Sequence, residues 1–547
     1  MRTTYPCGVR PTPALAYRAS IAAACVVAAL RLLPFLGDRV MHRDEALAVM
    51  VARRPLGELL ETVQLVRGGA PLHFLLAKLV AELGGGLAAT RAVSAAGLLL
   101  AIVAVGLLGR ALAGPVVGAA ASWILALSPV ALYYGDFARM YSLFLAFSAL
   151  ALWCLVRALD TGETRYWAGT AALLVLDTYT HPYGAVVGLV AALAVLADLL
   201  QVRERAAWRK PLWAAAGVVA GTAPLAIGYL VLASRLDKVP QPPGTAIPKP
   251  SLPDVAAQAG AHFVGVPRAG GLIALYLVVC AGLAGVGLVT LARAGAGRAV
   301  LVAAWIVLPL GVLAVVRIPN SDNHVRYVIE ALPLAGIAIA YGAATLGRYA
   351  GWRGAVTAAL AAAALVAVVE GTRGARLSDY RYRGASWAVR KADLGSAAAY
   401  LRGNFTRNDL FLGYDEAFAA GVLSPGGNRP LASARGTARS EPALIVRSLE
   451  RLHGPIAHGW YVALRGTSDA RYDRFRARLA RDYDVATFGT WFVLVRSHAA
   501  LATPGEFARS GLRVFTAAQE LSAPRRAPSE QAAVTSAALK RALPDLR

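Results

Sequence analysis

Apolar runs of membrane-spanning length recur from Leu15 to Val369, and this pattern restricts the fold more tightly than any other feature of the sequence. Lipid offers backbone N–H and C=O groups no water to bond, so only helices and closed barrels cross a bilayer. Barrel strands read as short alternating segments, whereas these runs are continuous. They predict an all-α polytopic membrane domain of about eleven transmembrane helices. The expected spans are 15–36, 87–109, 115–134, 141–158, 166–181, 183–200, 212–233, 271–291, 299–316, 327–346 and 355–370. Charged residues make up 16% of the chain, against about 25% in a typical soluble protein.

Residues 71–83, "PLHFLLAKLVAEL", are too short to span and read as an interfacial or re-entrant helix. If they do not cross, the segments near 37–72, 135–140, 181–183, 234–270 and 317–326, with everything after 371, share one face. The other face takes residues 1–14 and the linkers "RALDTGETR", "QVRERAAWRK", "LARAGAGR" and "GRYAGWRG". These linkers are rich in Arg and Lys, which places them in the cytoplasm. The long polar segments are then extracytoplasmic, in a bacterial-type plasma membrane. Arg39, Arg43, Arg53, Arg54 and Arg67 in the first outer loop run against the trend.

The sequence divides into a tail (1–14), a membrane domain (15–371), a small extracytoplasmic α/β domain (376–498) and a region expected to be disordered (502–547). The α/β assignment rests on strand-like runs "DLFLGY", "GWYVAL" and "WFVLVR" between helical patterns "GSAAAYLRGNF" and "DRFRARLARDY". The last region is rich in Ala, Pro and Arg. "DKVPQPPGTAIPKPSLPD", within 234–270, cannot be helical throughout. Cys7, Cys25, Cys154 and Cys280 lie in the tail and in apolar runs, so neither a disulfide nor a metal cluster is expected.

Net charge is +24 and the pI about 10.4. No nucleic-acid motif accompanies it, and loop arginines beside anionic membrane lipid account for much of the excess. A substrate bearing phosphate would account for more.

The candidate chemistry lies at the outer face. Asp44 and Glu45 follow the first span, and His73 sits in the short helix. Asp136, Arg139 and Tyr141 lie in "YYGDFARMYSL". His181 and Tyr183 lie in "DTYTHPYG". Asp322, His324, Arg326 and Tyr327 lie in "NSDNHVRYVIEALP". Each has an ordinary reading. Asp44 could cap a helix, Arg139 could snorkel, and Tyr133, Tyr134 and Tyr141 fit an interfacial aromatic belt. Together they make a chemical proposal. Arg139 and Arg326, with His181 and His324, could hold a phosphate through charge-assisted bonds. A carboxylate facing them could take a proton from an incoming hydroxyl. Phosphate leaves readily once its developing charge is neutralised. His73, Asp136, Tyr141, Tyr183 and Tyr327 would line the substrate pocket.

At these residues the chain resembles the GT-C glycosyltransferases, in the branch of the protein O-mannosyltransferases and the aminoarabinose transferases of lipid A. "RDEA", "GAPLHFLLAKL", "GDFARMYSL", "YTHPYG" and "RYVIEALP" follow that branch's order over roughly residues 15 to 350. Where related sequences carry Glu before "ARMY", this chain has Phe137, with Asp136 one residue earlier, and the usual Pro pair is Ala70–Pro71. The resemblance implies inverting transfer of a sugar from a polyprenyl-phosphate donor to a glycan, lipid or protein outside the cytoplasm. It implies Asp44 as the acceptor-activating base with Glu45 beside it. Some members of the class use a divalent metal, and Asp44, Glu45 and Asp136 could supply oxygens to Mg or Mn. A transporter or flippase of lipid-linked sugars would use the same arginines but would need alternating access, usually built from paired halves. An inactive scaffold would need neither the acid pair nor the arginines. In the C-terminal domain Asp415, Glu416, Trp460 and Trp491 could touch carbohydrate, though packing is the simpler role.

Overall fold

A computed structural model describes residues 13–37, 43–66, 70–201, 208–235, 271–293, 295–316, 329–372, parts of 396–406, 408–412, 455–464, 469–489, 492–521 and 527–546. Residues 236–270 of the expected Pro-rich loop (234–270), Asp322, His324, Arg326 and Tyr327, and Asp415, Glu416 and Trp491 lie outside the described residues, while 234 and 235 end a helix.

The membrane domain begins with α1 (Pro13–Leu36), α2 (Arg43–Ala52), α3 (Leu56–Val66), α4 (Leu72–Glu82), α5 (Leu87–Ala113) and α6 (Pro115–Leu127). It continues through α7 (Pro129–Gly135), α8 (Tyr141–Thr161), α9 (Thr164–Thr180), α10 (Gly184–Leu199) and α11 (Arg209–Arg235). Further helices run over Gly271–Ala292, Ala296–Val316, Leu332–Gly347 and Gly351–Thr372. The stretches Ala14–Leu36, Leu87–Ala113, Tyr141–Thr161, Arg209–Gly228 and Ile329–Leu365 are long and apolar enough to cross a membrane. The last contains a chain reversal at Gly351, whose φ of 79° suits glycine. Pro115–Leu127, Gly184–Leu199, Val278–Ala292 and Gly297–Pro309 are apolar but shorter. The protein is a multi-pass membrane protein.

α5 is the hub and packs on α1, α6 and α8. Leu98, Ile102, Val105, Leu108, Phe144 and Leu152 are buried at its contacts. α5 and α6 approach through small residues, as membrane helices commonly do. A Cβ at Gly109 would stand 2.9 Å from the Cα of Gly118. Leu30, Leu33, Trp213, Leu230, Val278 and Val307 are exposed, which in a membrane domain means facing lipid.

The expected span 115–134 is two helices. Pro129 lacks an N–H, and the residue before a proline favours extended backbone. Ser128 accordingly adopts φ −65°, ψ 121° and caps α7 through Ala131 N–H at 3.4 Å. α4 is 11 residues long, or about 16 Å. It buries His73, Phe74 and Ala77.

The basic linkers meet at one end of the bundle. Lys210 donates to the Gly162 carbonyl at 2.6 Å, and Arg298 pairs with Asp160 at 3.0 Å. Residues of three linkers grouped by charge are therefore neighbours in space.

The C-terminal domain holds a four-stranded sheet ordered β1-β2-β4-β3, with β1 (Leu410–Leu412), β2 (Gly459–Leu464), β3 (Tyr483–Phe488) and β4 (Phe492–Ser497). β1 and β2 are parallel, and the other pairs antiparallel. β3 escapes the sequence reading because "YDVATF", at the sheet edge, is interrupted by Asp484 and Thr487 and is mostly half-buried rather than a buried apolar run. Trp460 is buried, and its indole N–H donates to Asp409 at 2.9 Å, so it packs the domain.

Residues 502–547 carry helices where disorder is expected. Thr503 and Glu506 form a capping box on helix Pro504–Ala518. Phe507, Val514 and Phe515 from that helix, with Leu539 from helix Ala527–Ala542, enter the core beneath the sheet. The bias toward Ala, Pro and Arg conceals an amphipathic period that buries its aromatic face.

Candidate active site

The bend Asp136–Met140 between α7 and α8 is the centre of the site. A non-helical stretch inside a membrane protein must have its backbone groups satisfied by protein. Here side chains from three elements supply them. Glu45 of α2 accepts the Ala138 N–H at 2.9 Å. The Nε2 of His73 on α4 lies 3.1 Å from the Ala138 carbonyl. Ser94 Oγ of α5 donates to the Arg139 carbonyl at 3.0 Å. Ser142 closes the start of α8 by donating to the Tyr134 carbonyl at 2.6 Å. The bend carrying Arg139 is thus fixed to α2, α4 and α5 together.

Glu45 is fully buried, and its main partner is a residue the sequence reading passed over. Arg91, buried in α5, donates Nε to Oε1 at 2.9 Å and Nη2 to Oε2 at 3.0 Å. Its Nη1 donates to the carbonyls of Phe35 and Leu36 at 3.1 and 3.4 Å. Glu45, expected beside the base, has both oxygens in this fork. An arginine inside an apolar 27-residue helix is the signal that marks Arg91, since intramembrane charges are expensive and paired.

The backbone of Asp44 lies in the first turn of α2, next to Glu45; its side chain lies outside the described residues. Glu45 bonds to Arg91 and to the Ala138 N–H. Among the described residues no group of three or more His, Cys, Asp and Glu side chains could hold a metal ion.

His73 is fully buried beside Arg139, and burial and that guanidinium push its pKa down to about 3. The ring is neutral, with its proton assigned to the Nε2 that faces the Ala138 carbonyl. Nδ1 is left as a buried acceptor. The Arg139 guanidinium carbon stands 5.5 Å from the Phe74 ring centroid, within cation–π range. Asp136 is buried at the end of α7.

The aromatic residues join this bend to the α9–α10 turn. Tyr141 stacks on Phe137 at 6.3 Å and lies 6.0 Å from the His181 ring. His181 stacks on Phe144 at 4.8 Å, and its Nδ1 accepts the Tyr183 N–H at 3.2 Å. The turn leaves no room for a side chain at Gly184, where a Cβ would come within 2.5 Å of the Asp177 and Thr178 backbone. The fold thus brings Glu45, His73, Asp136, Arg139, Tyr141, His181 and Tyr183 into one contiguous region. Asp177 and Glu330, also missed by sequence, are buried carboxyls nearby. Ser148 of α8 donates to Asp177 at 2.9 Å, and Glu330 sits in a turn packed on α8.

The motif order resembles that of the GT-C membrane glycosyltransferases, and comparisons with known proteins bear on that resemblance. Residues 68–227 match the model of a family described as dolichyl-phosphate-mannose-protein mannosyltransferase. The fold is similar to that of ArnT from Cupriavidus metallidurans in a crystal structure bound to undecaprenyl phosphate. The TM-score is 0.57 at 15% identity, covering 88% of this chain and 97% of that one. The same protein in the apo state gives a TM-score of 0.55 at 14% identity, over 89% and 98% of the two chains. No curated protein matches the sequence.

Proposed function

We propose that the protein is an inverting glycosyltransferase that moves a sugar from a polyprenyl-phosphate donor to an extracytoplasmic acceptor, a glycan, lipid or protein. The observation that carries this is the bond from Glu45 to the Ala138 N–H. It sets the start of α2, with Asp44, against the bend that holds Arg139. The family match over 68–227 covers that bend and the His181 turn, and the undecaprenyl phosphate in the ArnT crystal structure supports a prenyl-linked donor.

In the proposed reaction Asp44 takes the proton of an acceptor hydroxyl as its oxygen attacks the anomeric carbon. Attack comes from the face opposite the phosphate, so the configuration inverts. The carbon–oxygen bond to phosphate breaks, and polyprenyl phosphate leaves with the electron pair. Arg139, joined by Arg326 from a segment outside the described residues, would neutralise the developing charge. The neutral His73 and the His181–Tyr183 turn would shape the sugar's surroundings. Basic linkers at the opposite end of the bundle support an active site facing away from the cytoplasm.

The test is sugar transfer by wild type and Asp44→Asn with polyprenyl-phosphate donors. The proposal expects wild-type transfer, and transfer lost in the variant with polyprenyl-phosphate binding retained. Unchanged transfer in the variant would remove Asp44 from the mechanism.

A further inference from the structure

Arg91 faces no site in the proposed reaction, yet it is fully buried and makes a bonding pattern that a lysine could not reproduce. Its fork holds Glu45, and its remaining Nη1 holds the carbonyls of Phe35 and Leu36 at the end of α1. Glu45 in turn accepts the Ala138 N–H. One guanidinium therefore ties together the end of α1, the start of α2 and, through Glu45, the bend between α7 and α8. Two residues on this path are chain neighbours of proposed reacting groups: Glu45, which Arg91 holds, adjoins Asp44, and Ala138, which Glu45 holds, adjoins Arg139.

We infer that Arg91 and Glu45 are positioning residues that set the separation between the acceptor-activating carboxylate and the phosphate-binding arginine. The inference rests on the function proposed above and deepens it, because it takes Glu45 out of the chemistry and gives it a geometric role. The physical requirement is registration. A base and a leaving-group contact that drift by about 1 Å can cost on the order of 100-fold in rate. A buried bidentate pair holds its partners more closely than α2 alone could, because α2 is only 10 residues long.

The experiment measures kcat and donor KM on the monodisperse full-length protein for Arg91→Lys, with undecaprenyl phosphate binding followed in parallel. Lysine keeps the charge but loses the fork. The expected result is a fall in kcat of roughly 100-fold, with donor KM and undecaprenyl phosphate affinity within about threefold of wild type. A merely structural role would lower the yield of folded protein and leave kcat per folded molecule alone. The double variant Glu45→Gln, Arg91→Gln buries no unpaired charge, and it is measured in case Arg91→Lys fails to fold. It should show the same loss in kcat. Wild-type kcat in either folded variant overturns the inference, as does a fall matched by weakened donor binding. Asp44→Asn is run alongside: if it transfers normally the functional proposal fails first, and the two failures are told apart.

Discussion

Glu330 is a fully buried carboxyl beside the bundle helix α8. It sits in the turn Ile329–Ala331, and among the described residues neither side-chain oxygen has a hydrogen-bond partner. The group that senses it electrostatically is another buried carboxyl, Asp177, which has Ser148 as its donor. A buried polar group left unsatisfied costs about 1–3 kcal/mol. Replacing buried charged groups with well-packed apolar ones is often neutral or stabilising. Glu330→Met preserves the length of the side chain and removes the polar atoms, so it should stabilise the protein by about 1–3 kcal/mol. Ser148→Ala should do the opposite and cost about 1.5–3 kcal/mol, because it strips a buried acid of its donor. The assay is thermal unfolding in detergent with a thiol-reactive fluorogenic dye. Cys154 and Cys280 are buried and react on unfolding, and Cys7→Ser in every sample keeps the N-terminal thiol from the dye. A lowered midpoint for Glu330→Met would refute the reasoning and mean that Glu330 holds a favourable partner.

His73 predicts acid sensitivity. Its pKa falls from an ordinary 6.5 to about 3 on folding, so the unfolded chain binds its proton first as pH drops. The stability it withholds is absent above pH 6.5 and grows downward, reaching about 2 kcal/mol at pH 5. His73→Gln should lose that share of the midpoint's pH dependence between 6.5 and 5. Gly184→Ala forces a Cβ within 2.5 Å of the Asp177 and Thr178 backbone. It should cost about 1–3 kcal/mol and displace His181, seen as a lower midpoint and weaker donor binding. Truncation before Thr503 removes Phe507, Val514, Phe515 and Leu539 from the core under the sheet. Limited proteolysis should then cut within β2–β4, sites that the intact chain protects.

Hydropathy alone made the bundle legible, because backbone satisfaction in lipid leaves few alternatives. The outer-face residues could be grouped because loop charge orders the segments, and Lys210 on Gly162 and Arg298 on Asp160 bring three of the four basic linkers together. What could not be read was which partner each polar residue chooses. Sequence adjacency sets Glu45 beside Asp44 and says nothing of its pairing with the arginine 46 positions away. Arg91, Asp177 and Glu330 were hidden inside apolar runs, where a window average dilutes a lone charge. The C-terminal helices were missed for a related reason. Composition suggested disorder, while the capping box at Thr503 and the spacing of Phe507, Val514 and Phe515 carried the true signal.

The most direct test is a structure of the full-length protein in lipid nanodiscs with undecaprenyl phosphate. The account predicts the phosphate against the Arg139 guanidinium, with the Asp44 carboxylate on the same side of the membrane and the Glu45–Arg91 fork intact behind it. A phosphate bound away from Arg139, or Asp44 facing the leaflet opposite to Arg139, would contradict it.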